Sequence, residues 1–267
     1  MPNLTTSAAL DLRSIDVHYG YVKALNGVDF HVQPGEAVAL LGDNGAGKST
    51  LLKVMSGAHR PSGGEIHVRD QQVDFRSPRD ARTAGIEMVY QDLALVDALD
   101  TATNLTLGRE VLLKGPLGWL DLLDKKKMRA EAAEEIARLG VKISSLSTPV
   151  EMLSGGQRQG VALARGAVRV LANKSGILLL DEPTAALGYE QKLMVERLIG
   201  RLTDDGIAVV LVTHDLPLAF SATSRMAVLN RGQKVADIAR ADTNTDQIVG
   251  WITGSLAAQE GLRQAQP

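Results

Sequence analysis

Residues 37–50 read AVALLGDNGAGKST, an apolar run that enters a glycine-rich loop and leaves it as STLLKVMSG, a helical pattern closed by Gly57. Gly42, Gly47, Lys48 and Ser49 satisfy G-x-x-x-x-G-K-[ST], with Asp43, Asn44, Gly45 and Ala46 filling the loop and Thr50 following it. Each residue type has a physical reason. Glycines let the backbone wrap until its N–H groups meet a β-phosphate. Lys48 brings a compact positive charge to the β- and γ-phosphates, and the Ser49 hydroxyl is a hard oxygen ligand for Mg²⁺. The stretch predicts a nucleoside triphosphate site on the edge of a parallel sheet.

The sheet is readable outward from there. Residues 177–180 (ILLL) and 207–212 (IAVVLV) are further short apolar runs of the kind that form strands buried on both faces, and residues 86–90 form another. Residues 12–19 and 28–33 alternate or nearly so, as do 65–69 and 72–75 around Asp70-Gln71, which predicts a separate antiparallel sheet near the N-terminus. From 100 to 139 the pattern is helical, with Met128, Ala132, Ile136 and Leu139 on one stripe opposite the charges. The expectation is an α/β fold: a mostly parallel sheet with an antiparallel N-terminal β-subdomain and a helical subdomain inserted at about 92–166. A hairpin at 225–238 and a helix at 246–252 complete it, with residues 1–9 and 255–267 as mobile tails.

Polar residues finish several strands. Asp181 and Glu182 follow ILLL, which puts them at the carboxyl edge where ligands of open α/β sheets collect. Asp181 is suited to hold Mg²⁺ through its water shell, and Glu182 to polarise the attacking water. Gln91 follows IEMVY, where its amide oxygen can serve Mg²⁺ or the lytic water. His214 follows AVVLVT, within reach of a γ-phosphate, and Tyr19 offers a face on which a base can stack. A second glycine turn, LSGGQ at 153–157, opens a long helix with Ser154 at the N-cap position, ahead of Gly155, Gly156 and Gln157. A helix start of this kind is itself a phosphate site, so the chain carries two.

Composition removes several classes. With 45% hydrophobic residues over 267 positions the chain can bury a large core. A formal charge of -2, with the triplet Lys125-Lys126-Lys127 readable as a solvated helix face, lacks the field expected of a nucleic-acid binder. There is no cysteine, the first residues do not read as an export signal, and no apolar run approaches the roughly 20 residues of a spanning helix.

Taken in order, Tyr19, GDNGAGKST, Gln91, LSGGQ, LLLDE and His214 resemble an ATP-binding cassette ATPase subunit over about residues 10–253. The resemblance implies a P-loop NTPase-type fold, ATP and Mg²⁺, and two cassettes packed head to tail. Ser154, Gly155, Gly156 and Gln157 of one copy then close over the ATP held by the loop of the other. VYQDLALVDALDTATNLTLGRE and DEPTAALG are similar to the ATPases of bacterial monosaccharide importers, as is Gly188 where many cassettes carry Asp. That subgroup implies a homodimer at the cytoplasmic face of the cell membrane, under integral membrane permease subunits served by a solute-binding protein. A soluble cassette acting on ribosomes or DNA is the alternative. Those relatives generally join two cassettes or insert a coiled coil, and this sequence shows neither. A GTPase is disfavoured because NKSG at 173–176 has Gly where N-K-x-D requires Asp.

Overall fold

The computed structural model describes residues 7–113, 121–141, 143, 145–172, 176–184 and 188–256. The strands β1 (Leu10–Tyr19) and β2 (Val22–Val32) pair antiparallel from Leu10↔Val32 to Tyr19↔Val22. One face is buried through Leu10, Leu12, Ile15 and Val17 on β1 and Leu25, Val28, Phe30 and Val32 on β2, the signature of a half-covered sheet. The strand β3 (Ala37–Gly42) contrasts with them, all six of its residues being buried. It runs into the glycine loop and α1 (Lys48–Met55). The chain then returns to the first sheet as β4 (Gly63–Val68) and β5 (Gln71–Val73), giving the order β2-β1-β4-β5. The turn between them uses Arg69 and Asp70 at φ 50° and 64°, and β5 is shorter than the alternation predicts because Phe75 leaves the strand to be buried.

A second sheet forms from β3, β6 (Ile86–Val89), β7 (Ile177–Asp181), β8 (Ala208–Val212), β9 (Arg225–Asn230) and β10 (Gln233–Ala239), with α2 (Pro78–Thr83) leading into β6. Its order is β10-β9-β3-β8-β7-β6, parallel throughout except for the β9–β10 hairpin. Alternate residues of each central strand serve different cores. Ile177 and Leu179 of β7, with Val210 and Val212 of β8, face the antiparallel sheet. Leu178, Leu180, Val209 and Leu211 face the helices on the other side. Burial on both faces is the reason these strands read as unbroken apolar runs.

The helices are α3 (Thr101–Thr106), α4 (Lys125–Leu139), α5 (Gly155–Ala172), α6 (Tyr189–Asp204), α7 (Leu216–Ala222) and α8 (Thr245–Thr253). The continuous helical pattern expected over 100–139 is therefore interrupted. Leu107 ends α3 in a turn at φ -56° and ψ 123°, Gly108 follows at φ 78°, and Leu112 pairs with Leu123 as an antiparallel bridge. Asp124 then accepts the Lys127 N–H at 2.9 Å and starts α4, whose buried stripe is Met128, Ala132, Ile136 and Leu139 as predicted. At the N-terminus, Ala9 is buried and donates its N–H to the Val32 carbonyl at 2.8 Å. Residues 1–6 and 257–267, which hold most of the expected tails, and 173–175 of the NKSG stretch lie outside the described residues.

Candidate functional site

The phosphate loop is set by its neighbours. Gly42 adopts φ 150°, and a β-carbon there would strike the Leu229 carbonyl of β9. Gly47 adopts φ 106°, and a β-carbon would lie 2.9 Å from the Ala24 carbonyl and 2.8 Å from Leu25 Cδ2 of β2. Glycine is required at both places by backbone sterics as well as by close approach. Lys48 is buried, and its ammonium donates to the carbonyls of Gly42 at 2.8 Å and Asp43 at 2.9 Å. Asp43 in turn accepts the Asn44 N–H at 2.7 Å, while Ser49 is exposed at the first turn of α1.

Three carboxylates act on that lysine. Burial pushes the Lys48 ammonium down, and the charges of Glu182, Asp43 and Asp181 pull it back up. Asp181 ends β7 beside Val212 of β8, and burial pushes its carboxyl up, reinforced by Glu182 and opposed by Lys48 and Lys53. Glu182 sits in the left-handed region at φ 47°, with its N–H donated to the Val212 carbonyl at 2.9 Å. Its side chain reaches His214, whose Nε2 is 3.0 Å from Glu182 Oε1. Among the described residues no three His, Asp or Glu side chains cluster as a metal cage. Mg²⁺ suits this donor set, because it is commonly held by one or two carboxylates together with waters and substrate phosphate oxygens.

Asn44, Gly45, Gly47, Lys48, Ser49, Thr50, Glu182 and His214 line one cavity of about 390 Å³. Lys23 of β2 and Arg231 of the β9–β10 hairpin also line it, and nothing in their local sequence singles them out. Arg231 is exposed, and Lys23 is paired with Asp16 at 3.0 Å. Of the predicted residues, Tyr19, Gly42, Asp43, Ala46, Gln91, Asp181 and the second glycine turn stand outside that lining. Gln91 is exposed just beyond β6, two strands from β8 along the same carboxyl edge. Tyr19 packs its ring against His59, with centroids 4.9 Å apart and planes tilted by 42°.

The second glycine turn is built as a capping box. Ser154 Oγ accepts the Gln157 N–H at 3.3 Å, and Gln157 Oε1 accepts the Ser154 N–H at 3.0 Å. Gly155 is exposed, and a β-carbon there would meet no atom within 4 Å. A β-carbon on Gly156 would lie 3.0 Å from Cγ of Gln191. Ser154, Gly156 and Gln157 line a different cavity, of about 180 Å³, with the end of α4 and the first turns of α6. It shares no lining residue with the phosphate-loop cavity. Gly188 is the N-cap of α6 without a side-chain cap, and residues 185–187 lie outside the described residues.

Among known families, the one described as ABC transporter matches residues 25–185, a span that includes the phosphate loop, the second glycine turn and Asp181-Glu182. The chain belongs to the ABC transporter family. As a cassette of this family it is an ATPase, in keeping with the phosphate loop and the acidic strand end. It is 42% identical to a fructose import ATP-binding protein of Rhizobium meliloti, covering 96% of both chains. It is also 42% identical to a xylose/arabinose import ATP-binding protein of Sulfolobus acidocaldarius, over 96% of this chain and 98% of that one. A ribose import ATP-binding protein of Escherichia coli O157:H7 is 37% identical over 94% of the cassette, which spans 47% of that longer relative. Among solved structures, a dimeric ATP-binding cassette in a post-hydrolysis state with ADP and Pi superposes with a TM-score of 0.71 at 25% identity, over 86% of this chain and 98% of that one.

Proposed function

We propose that this cassette is the ATP-hydrolysing subunit of a monosaccharide importer. Two copies work as a homodimer at the cytoplasmic face of the inner membrane, beneath integral membrane permease subunits that receive the sugar from a solute-binding protein. The observation that carries the reading is the separation of the two phosphate sites. Within one chain the loop around Lys48 and the capped start of α5 open into different cavities, which supports a nucleotide on the loop being completed by another copy. A similar cassette solved as a dimer with ADP and Pi supports the pairing. The sugar assignment follows the fructose, xylose/arabinose and ribose import names of the relatives. No helix among the described residues is long and apolar enough to cross a membrane, so passage of the sugar is assigned to the permeases.

In this reading residues 10–253 act as one unit, with the helical insertion at about 92–166. The backbone N–H groups from Asp43 to Thr50 and the Lys48 ammonium hold the phosphates, and Tyr19 stacks on the base. Ser49, Asp181 and Gln91 supply the oxygens for Mg²⁺, which when bound withdraws charge from the γ-phosphate. Glu182 takes a proton from water as that water bonds to the γ-phosphorus and the bond to the ADP oxygen breaks. His214, with Nε2 3.0 Å from Glu182 Oε1, orients the carboxylate and reaches the transferring phosphoryl group. Ser154, Gly155, Gly156 and Gln157 of the second copy face the same γ-phosphate with the positive end of α5. Loss of that phosphate removes the charge bridging the copies, and the dimer reopens.

The test is the Glu182→Gln variant. With saturating Mg²⁺-ATP it is expected to run as a dimer in size-exclusion chromatography with light scattering, to hydrolyse ATP at a small fraction of the parent rate, and to return to single chains when nucleotide is removed. Hydrolysis at the parent rate overturns the role of Glu182, and a single-chain mass with ATP bound overturns the shared site.

A further inference from the structure

Gln91 stands in a turn with a strained exit. The turn spans residues 90–93 and is closed by the Leu93 N–H donating to the Tyr90 carbonyl at 3.0 Å, which leaves Gln91 at its second position. Its exit runs through two consecutive non-glycine residues in the left-handed region, Leu93 at φ 63° and Ala94 at φ 47°. L-residues resist that conformation because the β-carbon crowds the carbonyl oxygen. The Ala94 N–H, donating to the Asp92 carbonyl at 2.8 Å, supports Leu93 from within, which leaves Ala94 in need of support from outside the turn.

Arg165, on α5, meets that need. Its two terminal nitrogens donate to consecutive carbonyls, Nη1 to Ala94 at 2.8 Å and Nη2 to Leu93 at 2.9 Å. A planar fork of this kind fixes orientation as well as distance. Burial pushes the Arg165 guanidinium down, and the Glu87 carboxylate on β6 opposes that shift. A cavity of about 250 Å³ borders Arg165, Tyr90 and Ala94, while the side chains of Leu93 and Leu95 pack against the helical core. Arg165 also lies on the helix that begins at Gly155, so one rigid element carries both the second glycine turn and the clamp on Gln91.

We propose that Arg165 is the positioning residue for Gln91, its fork holding the left-handed pair Leu93-Ala94 so that Gln91 is presented to the nucleotide bound by its own chain while the start of the same helix addresses the nucleotide of the other copy. This rests on the reading of Gln91 given under Proposed function. Arg165 touches neither nucleotide nor metal, and its effect passes through the turn.

The experiment is a steady-state ATPase cycle on the full-length chain with Mg²⁺-ATP, comparing the parent, Arg165→Lys, Gln91→Ala and the double variant. Lysine keeps the charge and loses the fork. Arg165→Lys is expected to lower kcat about tenfold or more, as small misplacements near reacting groups do, with KM for ATP within about twofold. The double variant is expected to be no slower than Gln91→Ala. Ala94→Gly placed in the Arg165→Lys background should recover most of the loss, because glycine holds a positive φ without help. Hydrogen exchange should quicken at residues 91–96 in Arg165→Lys and stay at the parent rate along α5. Multiplying effects in the double variant, failure of Ala94→Gly to rescue, or faster exchange along α5 would each overturn the inference and leave the role of Gln91 standing. Parental kcat in Gln91→Ala alone would overturn that role and the inference with it.

Discussion

Replacing Gly166 by alanine should destabilise the protein, although alanine is the better helix former. A β-carbon at Gly166 would lie 2.6 Å from Cγ2 of Val89 and 3.3 Å from Cδ1 of Leu178. Carbon atoms pack at about 3.5–4.0 Å, so α5 and β6 must part by roughly 1 Å at Val89, a short, stiff and buried side chain. Overpacking of this size costs about 1–3 kcal/mol, against a gain of about 1 kcal/mol in helix propensity. The net expectation is about 1 kcal/mol of destabilisation, or a Tm lower by about 2–4 °C in a chain of this size. The Val89→Ala background reverses the sign. With the offending methyl gone only the flexible end of Leu178 must give, and adding Gly166→Ala should be neutral or stabilising by up to about 1 kcal/mol. Urea denaturation of the four nucleotide-free proteins, followed by far-UV circular dichroism, measures the cycle. If Gly166→Ala equals or exceeds the parent in both backgrounds, α5 does not lie this close to β6. The rotation of α5 that aims Arg165 at Leu93 and Ala94 would then fall as well.

Two further outcomes are expected. Lys48→Ala should weaken ATP binding by at least about thirtyfold, because it removes a buried charge that the phosphates would otherwise meet, and isothermal titration calorimetry reads this directly. Asp100 caps α3 by accepting the Thr103 N–H at 2.8 Å and pairs with Arg129 at 3.1 Å. Burial alone would push its carboxyl up, but the Thr103 hydrogen bonds and Arg129 hold it below the ordinary range. A depressed carboxyl contributes stability above its unfolded value and loses it as pH falls through the folded one. Asp100→Asn should keep the cap and flatten the acid limb of the stability curve relative to the parent, while Asp100→Ala should cost about 1 kcal/mol at neutral pH. An unchanged acid limb in the asparagine variant would contradict the assignment.

The parts of the fold legible in the sequence are those fixed by short-range physics. ILLL and AVVLV read as covered strands because both faces are buried, and the glycine loop read as a loop because its chemistry is spelled in consecutive residues. The N-cap at Ser154 was legible for the same reason, while the return bond from its N–H to Gln157 Oε1 is added by the structure. The break after α3 was missed although Gly108, Gly115, Pro116 and Gly118 mark it in the sequence; what the sequence does not show is that Leu112 and Leu123 meet as an antiparallel bridge. Lys23, Arg231 and the Arg165 fork were equally hidden, because they reach their places from β2, from a hairpin and across a gap of more than seventy residues. The positive φ of Glu182 and its approach to His214 are likewise tertiary outcomes.

Enclosure of each nucleotide by two copies of the chain, as proposed, is tested by ATPase specific activity over a dilution series with the oligomeric state followed in parallel. Specific activity is expected to fall with concentration and to approach zero once only single chains remain. Undiminished specific activity in a preparation of single chains would contradict it.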